Sequence, residues 1–217
     1  MRIAVVANPT SGKGYGRVAT SLALHRFTRS DATVLDISAP TAEAAREEAA
    51  RAVASGVDAL VVVGGDGMVH LGANAVAGTD VPLGVVPAGT GDDSAHAFGL
   101  TSRDPVAAVD RLLEHLATGR TRTADLGRAT TADGTTRWFV GVLSAGFDAL
   151  VNERANGWRW PRGRLRYDLA IVRELPLFRP MRYLLTLEAS RRTCAACSSR
   201  SRTARRSEAG CRSRRTP

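Results

Sequence analysis

The first 188 residues contain no cysteine; Cys194, Cys197 and Cys211 all lie beyond them. A body without thiols can hold neither a disulfide nor a thiolate metal site. The Cys194-x-x-Cys197 pair has no second CxxC and no nearby histidine, which argues against zinc. Lysine is nearly absent: Lys13 is the sole example in 217 residues. Aromatic residues make up 5%. No apolar run approaches the roughly 20 residues a membrane-spanning helix needs. No basic-then-apolar leader precedes the first apolar run, which begins at Ile3. These absences predict a cytoplasmic protein.

Charge is unevenly spread. The net charge is +9, but residues 189–217 hold nine Arg and one Glu, so the first 188 residues carry only +1. A near-neutral body implies no nucleic-acid partner, and a basic nucleic-acid binder is the weakest reading. Residues 189–217 also lack Leu, Ile, Val, Phe, Tyr and Trp. Such a segment cannot bury a core and is expected to be disordered. Its Arg, Ser, Ala and Cys bias reads as GC-rich coding sequence translated out of frame.

The rest is ordinary globular chain, 44% apolar overall, and is organised around Leu60 to Asn74. Leu60 to Val63 suits a strand buried on both faces. Gly64-Gly65-Asp66-Gly67 follows, then helical spacing from Met68. Strand, glycine turn and helix aim backbone N–H groups at one spot, a phosphate site. A carboxylate beside a polyphosphate repels it unless a cation intervenes, so Asp66 reads as a metal or reacting-group contact.

Two further strands end in similar loops. Ile3 to Ala7 leads into Asn8-Pro9-Thr10-Ser11-Gly12-Lys13-Gly14 and a helix from Arg17 to Phe27. This is not a Walker A loop, because Ala7 stands where its first glycine belongs. Leu83 to Val86 leads into Pro87-Ala88-Gly89-Thr90-Gly91-Asp92-Asp93-Ser94. Between them, Ala32 to Ile37 is a strand with Ser38 past its end, and Thr41 caps the next helix. Alternating strands and helices give a parallel α/β sheet whose strand C-termini share one ligand-binding edge. Pro105 to Thr118 is a helix packed on the core. From Thr121 the pattern turns to antiparallel strands: 123–127, then 137–143 beyond an Asp133-Gly134 turn. A helix reaches Asn156, another spans 164–175, and a last strand runs 181–188. Trp158, Trp160, Pro161 and nearby Arg make a basic-aromatic patch that reads as a solvated connector or, alternatively, as a contact with anionic lipid headgroups.

The Gly-Gly-Asp-Gly turn resembles the signature of the diacylglycerol and sphingosine kinase catalytic domains and of the related NAD kinases and phosphofructokinases. Met68 replaces the usual Thr. The loop after the first strand resembles their Asn-Pro-x-Ser-Gly motif, and the loop after the fourth their Pro-x-Gly-Thr-x-Asn-Asp-Phe motif, with Asp92 for Asn and Ser94 for Phe. The Asn-to-Asp change is expected to add negative charge beside the polyphosphate. Gly146-Phe147-Asp148-Ala149 resembles the start of the lipid kinases' second domain.

The resemblance covers residues 1–188. It implies a nucleotide-binding α/β domain over 1–120, an incomplete β-rich second domain over 121–188, and a tail from 189. It implies ATP and Mg²⁺, with phosphate transferred to diacylglycerol or a similar lipid alcohol, at the inner face of the membrane if the protein binds there. The implied nucleotide-binding residues are Asn8, Pro9, Thr10, Ser11, Gly12, Ser38, Gly65, Asp66, Gly67, Met68, Val69, His70, Leu71 and Thr90. Asp66 is also the implied metal contact and the one possible catalytic group. The family's general base lies late in its second domain, so none is assigned and turnover is expected to be impaired. An inactive nucleotide-binding fragment and an NAD kinase-like enzyme are the alternatives; the latter does not combine all three loops.

Overall fold

The computed structural model describes residues 1–202 except 101–103, 132, 159, 161–163, 180, 188–189 and 197. It divides into two units, 1–141 and 142–217.

The first unit is built on four parallel strands in the order β2-β1-β3-β4. They are β1 (Arg2–Ala7), β2 (Thr33–Asp36), β3 (Ala59–Gly64) and β4 (Leu83–Pro87). Ile3 faces Ala59 across β1 and β3, and Leu60 faces Leu83 across β3 and β4. Alternate side chains point to opposite faces, and both faces are covered. Ala4, Val6, Leu60 and Val62 pack with α2 (Ala42–Ala54) and α3 (Asp66–Val76). Ile3, Val5, Val61 and Val63 pack with α1 (Tyr15–Thr28) and α5 (Pro105–Ala117). Burial on both faces explains why β1 and β3 read as unbroken apolar runs.

Two helix starts are fixed by caps. Thr41 Oγ1 accepts from Ala44 N at 3.2 Å, and Asp104 Oδ1 accepts from Val106 N at 2.9 Å. The short α4 (Asp93–Ala97) follows β4.

The hairpin β5 (Gly127–Thr130) and β6 (Thr136–Phe139) closes this unit. The expected turn is present: Asp133 Oδ1 accepts from Thr135 N at 3.0 Å. Asn74 on α3 holds the hairpin. Its amide donates to Trp138 O at 2.8 Å and accepts from Trp138 N at 2.9 Å. The hairpin thus packs within the first unit, which runs to Gly141.

The second unit contains β7 (Val142–Gly146), α6 (Phe147–Gly157), α7 (Arg164–Glu174), β8 (Met181–Leu187), β9 (Ser190–Ala196) and β10 (Ser198–Arg202). A single strand over 137–143 is expected from sequence; it is broken into β6 and β7 around Gly141, whose φ is +81°. Arg154 on α6 pairs at 2.6 Å with Glu174, which is 9% exposed. Within the segment 189–217, β9 and β10 are the described elements. There β9 pairs with β8 and β10 with β7, both antiparallel. Strand pairing is a backbone property, so it does not require the apolar side chains this segment lacks. Cys197, Cys211 and Pro161 lie outside the described residues.

Candidate functional site

The C-terminal ends of β1 to β4 carry the loops singled out from sequence. Asn8 N donates to Val63 O at 3.1 Å, continuing the β1–β3 ladder past Ala7. Asn8 Oδ1 then accepts from Thr10 N at 3.0 Å and Thr10 Oγ1 at 2.7 Å, an Asx turn. Ser11 Oγ donates to Asn8 O at 2.9 Å. These side chains shape the loop itself. Ser38 does the same for its neighbour: its Oγ accepts from Ala7 N at 3.0 Å, tying the end of β1 to the loop after β2.

The loops after β1, β3 and β4 touch one another. Gly12 has φ +55°, and a Cβ there would lie 2.6 Å from Ala88 O. Ala88 N donates to Gly64 O at 2.9 Å. A Cβ on Gly89 would lie 2.5 Å from Gly65 Cα, so these backbones meet with no room for a side chain. A pocket of about 350 Å³ opens here, walled by Gly12, Tyr15, Ala88, Gly89, Thr90 and Asp92.

Three carboxylates sit at this edge. Asp92 has φ +57° and is 3% exposed, and its Oδ1 accepts from Gly89 N at 2.9 Å. Its charge stabilises its own loop, in a left-handed conformation that Asn and Asp tolerate. Asp92 also lines the pocket, so its charge stands beside that space while one oxygen is held by Gly89 N. Asp66 Oδ1 accepts from Ser94 N at 2.8 Å and so holds the first turn of α4. Its Oδ2 faces Gly91: a Cβ built on Gly91 would lie 3.8 Å from Asp66 Oδ2 and 3.9 Å from Asp93 Oδ1. Both carboxylates are exposed and lie near Gly91. Among the described residues no group of three or more His, Cys, Asp or Glu forms a closed metal cage.

The remaining expected residues divide. Pro9, Thr10, Gly67 and Thr90 are exposed at the edge. Met68, Val69 and Leu71 are buried, so their side chains serve the core and only their backbones can meet a ligand. Ser38 and His70 are not among the residues walling the pocket. His70 is half-buried, with Nε2 3.5 Å from Asn74 Nδ2. Burial holds its pKa below the usual value, and the charges of Arg46 and Arg137 push the same way. Tyr15 was not singled out from sequence. Its signal is an aromatic residue in the first helical turn after a glycine loop.

The model for the diacylglycerol kinase catalytic domain matches residues 2–129. This chain belongs to the diacylglycerol kinase catalytic-domain family. The model for the YegS C-terminal NAD kinase beta sandwich-like domain matches residues 141–202. That match includes β9 and β10. The chain is 43% identical over 189 residues to a diacylglycerol kinase of Mycobacterium tuberculosis, covering 87% of this chain and 60% of that protein. A diacylglycerol kinase of Bacillus subtilis is 27% identical over 182 residues, covering 82% and 57% respectively. The chain thus spans about 60% of the length of these relatives. A solved diacylglycerol kinase structure from Bacillus anthracis has the same fold, with TM-score 0.57 and 19% identity over 92% of this chain and 63% of that one.

In the second unit, Trp160 is 82% exposed. Trp158 lies beneath the Arg173 guanidinium, 6.0 Å from its ring centroid. Leu165, Leu169 and Val172 are exposed along α7. None of the described helices is long and apolar enough to cross a membrane.

Proposed function

We propose that the chain is an ATP-dependent lipid kinase that uses Mg²⁺ and transfers the γ-phosphate to the hydroxyl of diacylglycerol or a similar lipid alcohol. The observation that carries this reading is the meeting of the three glycine loops at Gly12, Gly65 and Gly89 around the pocket, with the exposed Asp66 and Asp93 near Gly91. Family membership supports the reaction class, and the nearness of the two exposed carboxylates to the phosphate turn supports the cation reading.

Phosphoryl transfer asks the protein mainly for positioning and charge neutralisation. The turn Gly65-Asp66-Gly67 and the N-terminus of the eleven-residue α3 offer a positive dipole end to phosphate. Thr90 and the loop from Asn8 to Gly12 flank it. Mg²⁺ is commonly held by one or two carboxylates together with substrate phosphates, and Asp66 and Asp93 fit that donor set. When bound, the cation would neutralise charge on the transferred phosphate. Asp66 would then have two tasks, one oxygen on Ser94 N and the other toward the cation. No residue is assigned as general base.

The acceptor is a lipid, so the kinase would meet it at a bilayer surface. Trp158, Trp160 and the exposed leucines of α7, flanked by Arg166 and Arg173, have the composition of an interfacial contact. The test is calorimetric titration of ATP with and without Mg²⁺, followed by transfer of labelled γ-phosphate to diacylglycerol in mixed micelles. ATP binding indifferent to Mg²⁺ would overturn the cation site, and absence of ATP binding would overturn the nucleotide reading.

A further inference from the structure

We infer that Tyr15 is the residue that holds the nucleotide's base, making the pocket between the loops after β1 and β4 a slot for a planar heteroaromatic ring. The inference rests on the nucleotide reading above and adds which end of the ligand goes where.

Tyr15 is the first residue of α1 and follows Gly14, whose φ is +99°. Its Cβ lies 3.4 Å from where a Cβ on Gly12 would stand. Gly12 in turn is pressed against Ala88 O. Tyr15 thus lines the pocket together with Ala88 and Gly89. Among the walling residues Tyr15 is the one aromatic, and it is 39% exposed. The rest of the wall is small: Gly12, Ala88 and Gly89 are largely backbone, Pro87 is a compact ring, and Asp92 Oδ1 accepts from Gly89 N. One aromatic side chain in a wall otherwise made of small residues suits stacking by a planar base. Thr90 supplies a hydroxyl at the rim.

The position of the slot fixes the direction of the ligand. Its Gly89 wall is in contact with Gly65, the start of the phosphate turn. A nucleotide with its base against Tyr15 would run its phosphates along this contact toward Gly67 and the Asp66–Asp93 pair. The base end, at Tyr15, and the phosphate end, at Gly67 and the Asp66–Asp93 pair, are therefore read by different residues and separable by mutation.

The experiment titrates Mg-ATP and magnesium tripolyphosphate separately into the full 217-residue chain and into Tyr15→Leu and Tyr15→Trp. Circular dichroism confirms that each variant is folded. Tyr15→Leu is expected to weaken ATP on the order of 10-fold, the scale of one aromatic–base stack. Tripolyphosphate, which has no base, should bind both proteins alike, and Tyr15→Trp should retain ATP affinity. ATP binding unchanged in Tyr15→Leu, or equal losses for ATP and tripolyphosphate, would overturn the assignment of Tyr15 while leaving the nucleotide reading intact. A folded wild-type chain that binds neither ligand would overturn both.

Discussion

The carboxylate of Asp66 accepts a hydrogen bond from the backbone N–H of Ser94 at 2.8 Å, joining the turn after β3 to the helix after β4. This bond separates two contributions of one side chain. Asp66→Asn keeps an acceptor for Ser94 N and loses the charge; Asp66→Ala loses both. Loss of a capping acceptor costs about 1 kcal/mol, so Asp66→Ala should melt below Asp66→Asn. Both should lose Mg²⁺-dependent ATP binding in calorimetry. Metal-dependent binding equal to wild type in Asp66→Asn would exclude Asp66 as a cation ligand.

Gly67 lies in the first turn of α3, and a Cβ there meets nothing within 4 Å. Gly67→Val should therefore leave the fold intact in thermal melts. If phosphates approach this backbone, the branched side chain should weaken ATP by 10-fold or more, about 1.4 kcal/mol per decade. Unchanged affinity would place the phosphates elsewhere.

Asn74 satisfies both backbone groups of Trp138. Asn74→Ala leaves a donor and an acceptor of β6 without this partner, and each such loss costs about 1–3 kcal/mol where the group stays buried. Urea unfolding should show a lower midpoint. Asn74→Asp keeps the acceptor for Trp138 N but sets a carboxylate against Trp138 O, so it should also destabilise. Wild-type stability in both variants would mean that the hairpin is held by other contacts.

His70 gives a pH signature. Burial first, then Arg46 and Arg137, lower its folded-state pKa. The unfolded chain, with a His pKa of about 6.5, therefore binds a proton more readily than the folded one. Stability from this group is full above about pH 6.5 and is lost as pH falls through the lower folded value. Denaturation midpoints measured against pH should fall less steeply below pH 6.5 in His70→Gln than in wild type. Parallel curves would assign the acid sensitivity to other groups.

The interfacial reading of the second unit has its own test. Trp160→Ser should reduce co-sedimentation with vesicles containing anionic lipid, because Trp160 is 82% exposed and contributes little to the core. Equal sedimentation would remove this residue from any membrane contact.

Sequence legibility followed the distance over which each feature is determined. Ile3 to Ala7 and Ala59 to Val63 announce doubly covered strands because every position is apolar, and Thr41 announces its cap because the interaction spans three residues. The loops after β1, β3 and β4 were visible for the same reason: glycine and hydroxyl residues are needed where a strand gives way to a helix. The common edge followed from strand-helix alternation. What a residue does inside such a loop was not visible when its partner lies far along the chain. Asp92 reaches Gly89 N because a left-handed backbone brings its carboxylate there, a bond the sequence does not show. Asp66 reaches Ser94, and Asn74 reaches Trp138, only after the sheet has stacked their elements. Tyr15 enters the pocket because Gly12 and Ala88 meet. Local composition therefore determined the α/β class, the phosphate-type loops and the candidate residues. Tertiary contact between the loops decided which side chains are structural, which remain open to a ligand, and where the first unit ends, because those outcomes depend on distances between segments that no local pattern encodes.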